Sequence, residues 1–220
     1  MDVIRRLGPL VIIAALAAGL VWRLDENGWG SFVWLGSLIA TVVIRTPFEA
    51  ETRKNTITEQ RVTLTERVLL AGMGVGTMLL PLAQLFTGVF GFADYDLPGW
   101  TPAIALLLLV PGFWLFWRSH ADLGRNWSVT LEIRDEHTLV TNGVYRRIRH
   151  PMYASLFLVY AAMPLAIHNW VAGFGGLVAF LLLYLLRLPR EEQMMRDRFG
   201  VVYTEYCRHT GRLWPKFRTA

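Results

Sequence analysis

From Pro151 to Leu186 the chain runs thirty-six residues without a formal charge. One bilayer crossing takes about 20 apolar residues, so this window is too long for one helix and about right for two. His168-Asn169-Trp170 is its natural turn. A hairpin of two such helices returns the chain to the membrane face it left. The polar sequence on either side, Gly143-Val144-Tyr145-Arg146-Arg147-Ile148-Arg149-His150-Pro151-Met152-Tyr153 and Arg187-Leu188-Pro189-Arg190-Glu191-Glu192, must therefore meet at that face.

Further charge-free windows lie at Leu7 to Trp22, Gly30 to Ile44, Val68 to Ala93 and Leu97 to Trp117. With 54% hydrophobic residues, 18% charged residues and a mean hydropathy of +0.36 over 220 residues, the chain is too apolar for an ordinary soluble domain. Several windows are short for a crossing, and Arg6, Arg23 and Arg45 can snorkel to the interface to extend them. The expected fold class is an all-α membrane protein of about six transmembrane helices. Its organisation divides into N-terminal spans over 1–117 and, over 118–220, a polar loop, the helical hairpin and a tail. Trp22, Trp29, Trp100, Trp114, Trp117 and Trp170 fall near span ends, as an interfacial aromatic belt requires.

The basic residues fix an orientation. Of the 22 Lys and Arg, all but Arg23 lie in the amino terminus, the Arg45 to Arg67 loop, the Arg118 to Arg149 loop or the tail from Arg187 onward. The positive-inside rule puts both termini and both long loops in the cytoplasm. The net charge of +5 then reflects contact with anionic membrane lipids, and no nucleic-acid partner is expected.

Several superficial signals dissolve on inspection. Arg5-Arg6, an apolar run and Ala15-Leu16-Ala17 imitate a cleaved leader, but apolar sequence continues to Trp22 and favours a retained helix. Cys207 is the one cysteine, and the five histidines show no His-x-x-x-His pair, so no metal site is expected. Gly72-x-Gly74-x-Gly76 lies inside an apolar span with no strand before it. Gly72 and Gly76 read instead as a small-residue face for close helix approach, as do Gly173, Gly175 and Gly176. The Arg45 to Arg67 loop is a Thr-rich surface connector whose Thr65-Glu66-Arg67 starts the third span.

The second long loop is richer. Leu123-Gly124-Arg125-Asn126-Trp127-Ser128 leads into a β-branched stretch from Val129 to Ile133, and Asn142-Gly143 is a strong turn signal. Pro151 suits the first helical position, with His150 as its cap. The helix start and Arg146, Arg147 and Arg149 would favour an anion, although the same arginines also read as a positive-inside flank. Arg187, Arg190 and Glu191 stand at helical offsets of three and four. Pro189 is expected to break or kink the chain between span and tail. Phe199 to Tyr206 reads as an amphipathic helix, either lying on the membrane or closing a cytoplasmic pocket.

Taken jointly, Leu123-Gly124-Arg125-Asn126-Trp127, Leu139-Val140-Thr141-Asn142-Gly143-Val144-Tyr145, Arg149-His150-Pro151-Met152-Tyr153, Arg190-Glu191-Glu192 and Phe199-Gly200-Val201-Val202-Tyr203-Thr204-Glu205-Tyr206 resemble the isoprenylcysteine carboxyl methyltransferase family and its bacterial relatives. The resemblance covers about the last hundred residues, with the motifs in order and suitably separated. It implies an integral membrane enzyme, in a bacterial inner membrane, that takes a methyl group from S-adenosyl-L-methionine in a cytoplasmic pocket formed by the loop before the fifth span and the tail. By the same resemblance, backbone groups near Val140 and Gly143, with Tyr145, His150, Tyr153 and Glu192, would hold the cofactor. Glu191 and Glu192 match a paired acidic motif, and Arg187 matches an arginine that places a substrate carboxylate, so Arg187, Glu191 and Glu192 are the candidate catalytic residues. The acceptor would be a lipophilic or prenylated carboxylate. Ser155 stands where the family often has glycine.

The residue types suit this chemistry. Methyl transfer is an in-line displacement, in which holding two reactants together supplies much of the acceleration. A carboxylate acceptor is ionised at neutral pH and needs a cationic anchor, for which Arg187 or Arg190 would serve. An amine acceptor, such as that of phosphatidylethanolamine, must first lose a proton, and Glu191 or Glu192 would then be the base. A small thiol is a further acceptor the scaffold could take. A non-catalytic scaffold or small transporter is disfavoured, because transport pathways usually keep a charge within the apolar spans.

Overall fold

A computed structural model describes residues 2–52, 57–60, 63–126, 132–134 and 138–216. The order of elements is α1 (Asp2–Trp22), the short α2 (Leu24–Asn27), α3 (Gly30–Thr52), β1 (Ile57–Gln60), α4 (Leu64–Gly74), α5 (Leu80–Thr87), α6 (Thr101–Leu123), β2 (Glu132–Arg134), α7 (Pro151–Ala166) and α8 (Ala172–His209). A π-helical turn at Val75–Leu79 joins α4 to α5, so the pair acts as one long rod. Thr63 caps α4 by accepting the Glu66 N–H, and Gly88, at φ 68°, ends α5 in the left-handed conformation that glycine takes without strain.

Among the described residues, four stretches are long and apolar enough to cross a bilayer: Gly30–Glu51, Leu64–Thr87, Thr101–Leu123 and Ala172–His209. Two apolar stretches are shorter, Pro9–Trp22 and Pro151–Ala166. At a rise of about 1.5 Å per residue, the 16 residues of α7 reach only about 24 Å, less than the hydrocarbon thickness. Packing explains how so short a helix is tolerated. Ala154, Ser155, Val159, Ala162, Met163 and Ala166 are all buried, because α7 lies between α6 and α8 and shows little of itself to lipid. Large apolar side chains face outward elsewhere, as Leu107, Val110 and Leu182 do, and Trp22, Trp100, Trp114 and Trp170 are more than half exposed. That is the distribution a lipid solvent selects.

Close approach of helices uses some of the expected glycines. A Cβ on Gly76 would lie 2.5 Å from the Gly175 carbonyl oxygen, and one on Gly173 would lie 2.4 Å from that of Ile167. Gly72 has nothing within 4 Å, so the small-residue face is Gly76 against Gly175 without Gly72.

Two expectations change. Pro189 does not interrupt α8, which continues through it to His209; the break falls at Gly200, with φ 54° and ψ −122°. Leu188 is buried and Arg190 and Glu191 hold partners on other elements, so tertiary contacts keep the helix going past the one N–H that proline removes. Glycine at 200 then supplies a conformation that costs other residues strain. The second change is a small ribbon, β1 antiparallel to β2, pairing Ile57 with Arg134 and Gln60 with Glu132. It ties together the two long loops. Of the β-branched stretch, Val129 to Leu131 lie outside the described residues, as do Trp127 and Ser128.

Candidate active site

The charge-free hairpin does bring its two polar ends together. His150 precedes α7 and is buried; its Nδ1 lies 3.5 Å from Glu191 Oε1 and its Nε2 3.3 Å from Glu192 Oε1. Successive residues on a helix point about 100° apart, so Glu191 and Glu192 form a fork with the imidazole in its mouth. Both ring nitrogens can donate only when the ring is protonated. Burial works against that charge, yet the hydrogen bonds and negative charges of the two glutamates outweigh it, and His150 is held above its ordinary pKa.

Each glutamate has a separate set of further partners. Glu191 Oε2 accepts from the Tyr153 hydroxyl at 2.7 Å and lies 3.8 Å from Arg187 Nε. Glu192 is buried and ringed by Arg149 at 3.4 Å, Arg212 at 3.3 Å and Arg196 at 3.7 Å. The first glutamate faces the membrane-side cluster and the second faces the tail.

The tail is strapped to the segment before α7. Arg149 and His150 donate their N–H groups to the carbonyls of Gly211 and Arg212, and Gly211 donates back to Arg147. The Arg149 guanidinium bonds the Cys207 and Thr210 carbonyls, which satisfies the end of the helix that follows the Gly200 kink. Tyr206 donates to the Tyr145 carbonyl at 2.6 Å. Upstream, Gly143 takes φ 54°, and a Cβ there would fall 2.1 Å from Asp122 Oδ2. That oxygen accepts the Val144 N–H at 2.8 Å, so Asp122 of α6 pins the turn. Tyr145 is buried, which pushes its phenol well above the usual value, and its hydroxyl donates to the Ser119 carbonyl.

These elements enclose a cavity of about 520 Å³, the size of sites that hold small molecules. Its polar end is walled by Val140, Tyr145, His150, Tyr153, Arg187 and Glu191. Its other end runs between the membrane helices, past Leu70 and Met73 of α4, Phe116 of α6, Leu156 of α7 and Phe180 of α8. Tyr203 and Tyr206 close the tail side, whereas Val201 and Val202 of the same short helix are exposed. One continuous space thus joins a charged pocket to an apolar channel.

Of the residues singled out in the sequence, Val140, Tyr145, His150, Tyr153, Arg187 and Glu191 line the cavity. Glu192 stands behind His150, Gly143 forms the turn against Asp122, and Arg190 reaches away to Thr63, whose hydroxyl accepts at 3.0 Å. Sequence reasoning missed Asp122, Arg212, Glu66 and the contribution of Thr41 and Arg45 on α3 to the wall. Asp122, Arg212 and Glu66 act through partners far away in the chain, and Thr41 and Arg45 reach the cavity only through the packing of α3, none of which a local pattern displays. The Thr63-x-x-Glu66 spacing was the one available signal, and it reports only a helix start.

Known proteins resemble this chain in sequence and fold. Residues 104–197 match the family model of the isoprenylcysteine carboxyl methyltransferase (ICMT) family. Protein-S-isoprenylcysteine O-methyltransferase A of Arabidopsis thaliana is 29% identical over 132 residues, covering 59% of this chain and 67% of the plant protein. The Homo sapiens protein-S-isoprenylcysteine O-methyltransferase is 31% identical over 109 residues, covering 49% of this chain and 38% of the human one. The solved structure of the eukaryotic intramembrane Ras methyltransferase, isoprenylcysteine carboxyl methyltransferase, superposes with a TM-score of 0.51 over 92% of this chain and 74% of its own, at 20% identity. Covering 92% of this chain, the match to that membrane fold extends well beyond the residues that the family model reaches. Over residues 104–197 the chain is similar to the isoprenylcysteine carboxyl methyltransferase family, and its fold is similar to that of a membrane methyltransferase of that family.

Proposed function

We propose that the chain transfers a methyl group from S-adenosyl-L-methionine to the carboxylate of an isoprenylcysteine-like, lipophilic acceptor. The observation that carries this reading is the continuity of the cavity from the Glu191 pocket to the apolar channel between α4, α6, α7 and α8. A polar, cationic donor and a lipid-borne acceptor need such a pair of environments sharing one junction.

The polar end fits the donor in chemical kind. Glu191 offers a carboxylate to cationic parts of the molecule, Tyr145 and Tyr153 offer aromatic surface, and the irregular backbone at Val140 offers peptide groups that are not consumed in a helix or strand. When bound, S-adenosyl-L-methionine would supply an electrophilic methyl group on a sulfonium sulfur. His150 and Glu192 shape this end from behind, and the Gly143 turn sets where Val144 and Tyr145 stand. Arg187, on the cavity wall, is the anchor for the acceptor carboxylate, whereas Arg190, held by Thr63, would need to turn to join it. An ionised carboxylate needs no general base, so the protein's task is to place it and exclude water. An amine acceptor would instead require Glu191 to take a proton while giving up its contacts to Arg187 and Tyr153. The positive charge of the loops supports a polar end, termini and tail on the cytoplasmic side of an inner membrane, with membrane lipids around the channel end.

Calorimetry on the detergent-purified protein tests the donor: S-adenosylmethionine and S-adenosylhomocysteine should bind, and an absence of heat for both defeats the reading. A labelled-methyl assay with S-prenylcysteine, phosphatidylethanolamine and a small thiol then decides the acceptor. Arg187→Ala should depress use of the carboxylate acceptor while leaving donor affinity near wild type.

A further inference from the structure

The first turn of α4 reads Thr63-Leu64-Thr65-Glu66, a capping box by sequence. Thr63 fulfils its part by accepting the Glu66 N–H at 3.3 Å. The glutamate does something a cap does not need. It is 2% exposed, and its Oε1 lies 3.6 Å from Nη1 of Arg187, which is 121 positions away on α8. The Thr63 hydroxyl also accepts from Arg190 Nη1. One turn of α4 therefore reaches both arginines that flank Pro189.

Burying a carboxylate carries a desolvation cost, which a capping glutamate at a solvated helix start does not incur. The fold bears that cost where it fixes Arg187. From its own helix Arg187 is met by Glu191, whose place is set by Tyr153 and His150 at the polar end of the cavity. With Glu191 as its one carboxylate, the guanidinium would be drawn toward that end. Glu66 attracts it from the opposite helix, the one that also contributes Leu70 and Met73 to the apolar wall. The cation is thereby held where the two halves of the cavity join.

We infer that Glu66 is a positioning residue for the acceptor: it holds Arg187 at the junction of the polar and apolar halves of the cavity, where an acceptor carboxylate is received. The inference rests on the reading of Arg187 as the acceptor's anchor. It also gives the N-terminal helices, outside the family-matched 104–197, a direct part in substrate recognition.

The test uses the full chain in detergent, with S-prenylcysteine affinity measured by calorimetry at saturating S-adenosylhomocysteine. Glu66→Gln keeps the shape and removes the charge, and it should weaken acceptor binding about tenfold, with donor affinity unchanged within about twofold. Glu66→Asp, which keeps the charge on a shorter arm, should lose less, and it carries the comparison if the Gln variant does not fold. On an Arg187→Gln background, Glu66→Gln should have no further effect on acceptor binding. Wild-type acceptor affinity in Glu66→Gln, parallel loss of donor and acceptor binding, or an undiminished effect on the Arg187→Gln background would each overturn the inference while leaving the Arg187 reading intact. If Arg187→Gln itself binds the acceptor as wild type does, the underlying reading falls and the Glu66 inference falls with it.

Discussion

The two ends of the α7–α8 hairpin are both polar and both buried, yet they are built on opposite principles. At the turn, Asn169 is 1% exposed and satisfied on both sides: its amide nitrogen donates to the Phe90 carbonyl and Asp94 Oδ1, and its oxygen accepts the N–H groups of Val171 and Ala172. Gln84 completes the knot by donating to Asp94 and accepting from the Phe90 N–H. At the other end, His150, Glu191, Glu192, Arg149 and Arg187 hold one another through ion pairs of 3.3 to 3.8 Å, and all but Glu192 border a cavity of about 520 Å³. Close hydrogen bonds in a closed knot fix the hairpin. Longer ionic contacts around an open space leave charge that a ligand can use. Position along the same two helices thus separates a closed cluster from one that borders a cavity.

Three measurements bear on that contrast, from the largest effect down. Glu192→Ala should be the most damaging, because it leaves Arg149, His150, Arg196 and Arg212 facing a missing carboxylate. Breaking a buried pair costs about 3–5 kcal/mol of stability, so the thermal midpoint in detergent should fall most in this variant, and calorimetry should show weaker donor binding because His150 loses its support. Asn169→Ala should affect stability alone. Losing its buried hydrogen bonds should cost about 2–4 kcal/mol, read as a lower thermal midpoint in detergent, with donor affinity per folded molecule unchanged. If Asn169→Ala also abolished donor binding, the two ends would not be independent. The smallest effect is on pH dependence. The folded His150 has its pKa raised, so its contribution to stability is complete below the unfolded value of about 6.5 and is lost as pH rises through the raised one. The thermal midpoint of wild type should fall across that window, and His150→Gln should flatten the profile.

Much of the site was legible because lipid enforces a simple rule. Charges are excluded from Pro151 to Leu186, so the clusters at its ends had to meet, and His150 does meet Glu191 and Glu192. The tail's role was partly legible: Phe199 to Tyr206 shows an amphipathic pattern, and Tyr203 and Tyr206 line the cavity while Val201 and Val202 do not. What could not be read was any partner across elements. Asp122 pinning the Gly143 turn, Gly211 and Arg212 strapping the segment before α7, and Glu66 reaching Arg187 all join residues distant in sequence. Pro189 misled for the same reason, since a local breaker was overruled by buried contacts and the real kink fell at Gly200.

By itself, the sequence determined that this protein is a bundle of apolar helices with a charged pocket at one end of a hairpin. The cost of placing charge in hydrocarbon leaves few other folds for such a pattern. Only the tertiary structure decided which charges face the cavity and which stand behind it. That division depends on helix α4 lying against α8 and on the tail returning to residues 147–150, and both come from long-range packing that no local periodicity encodes.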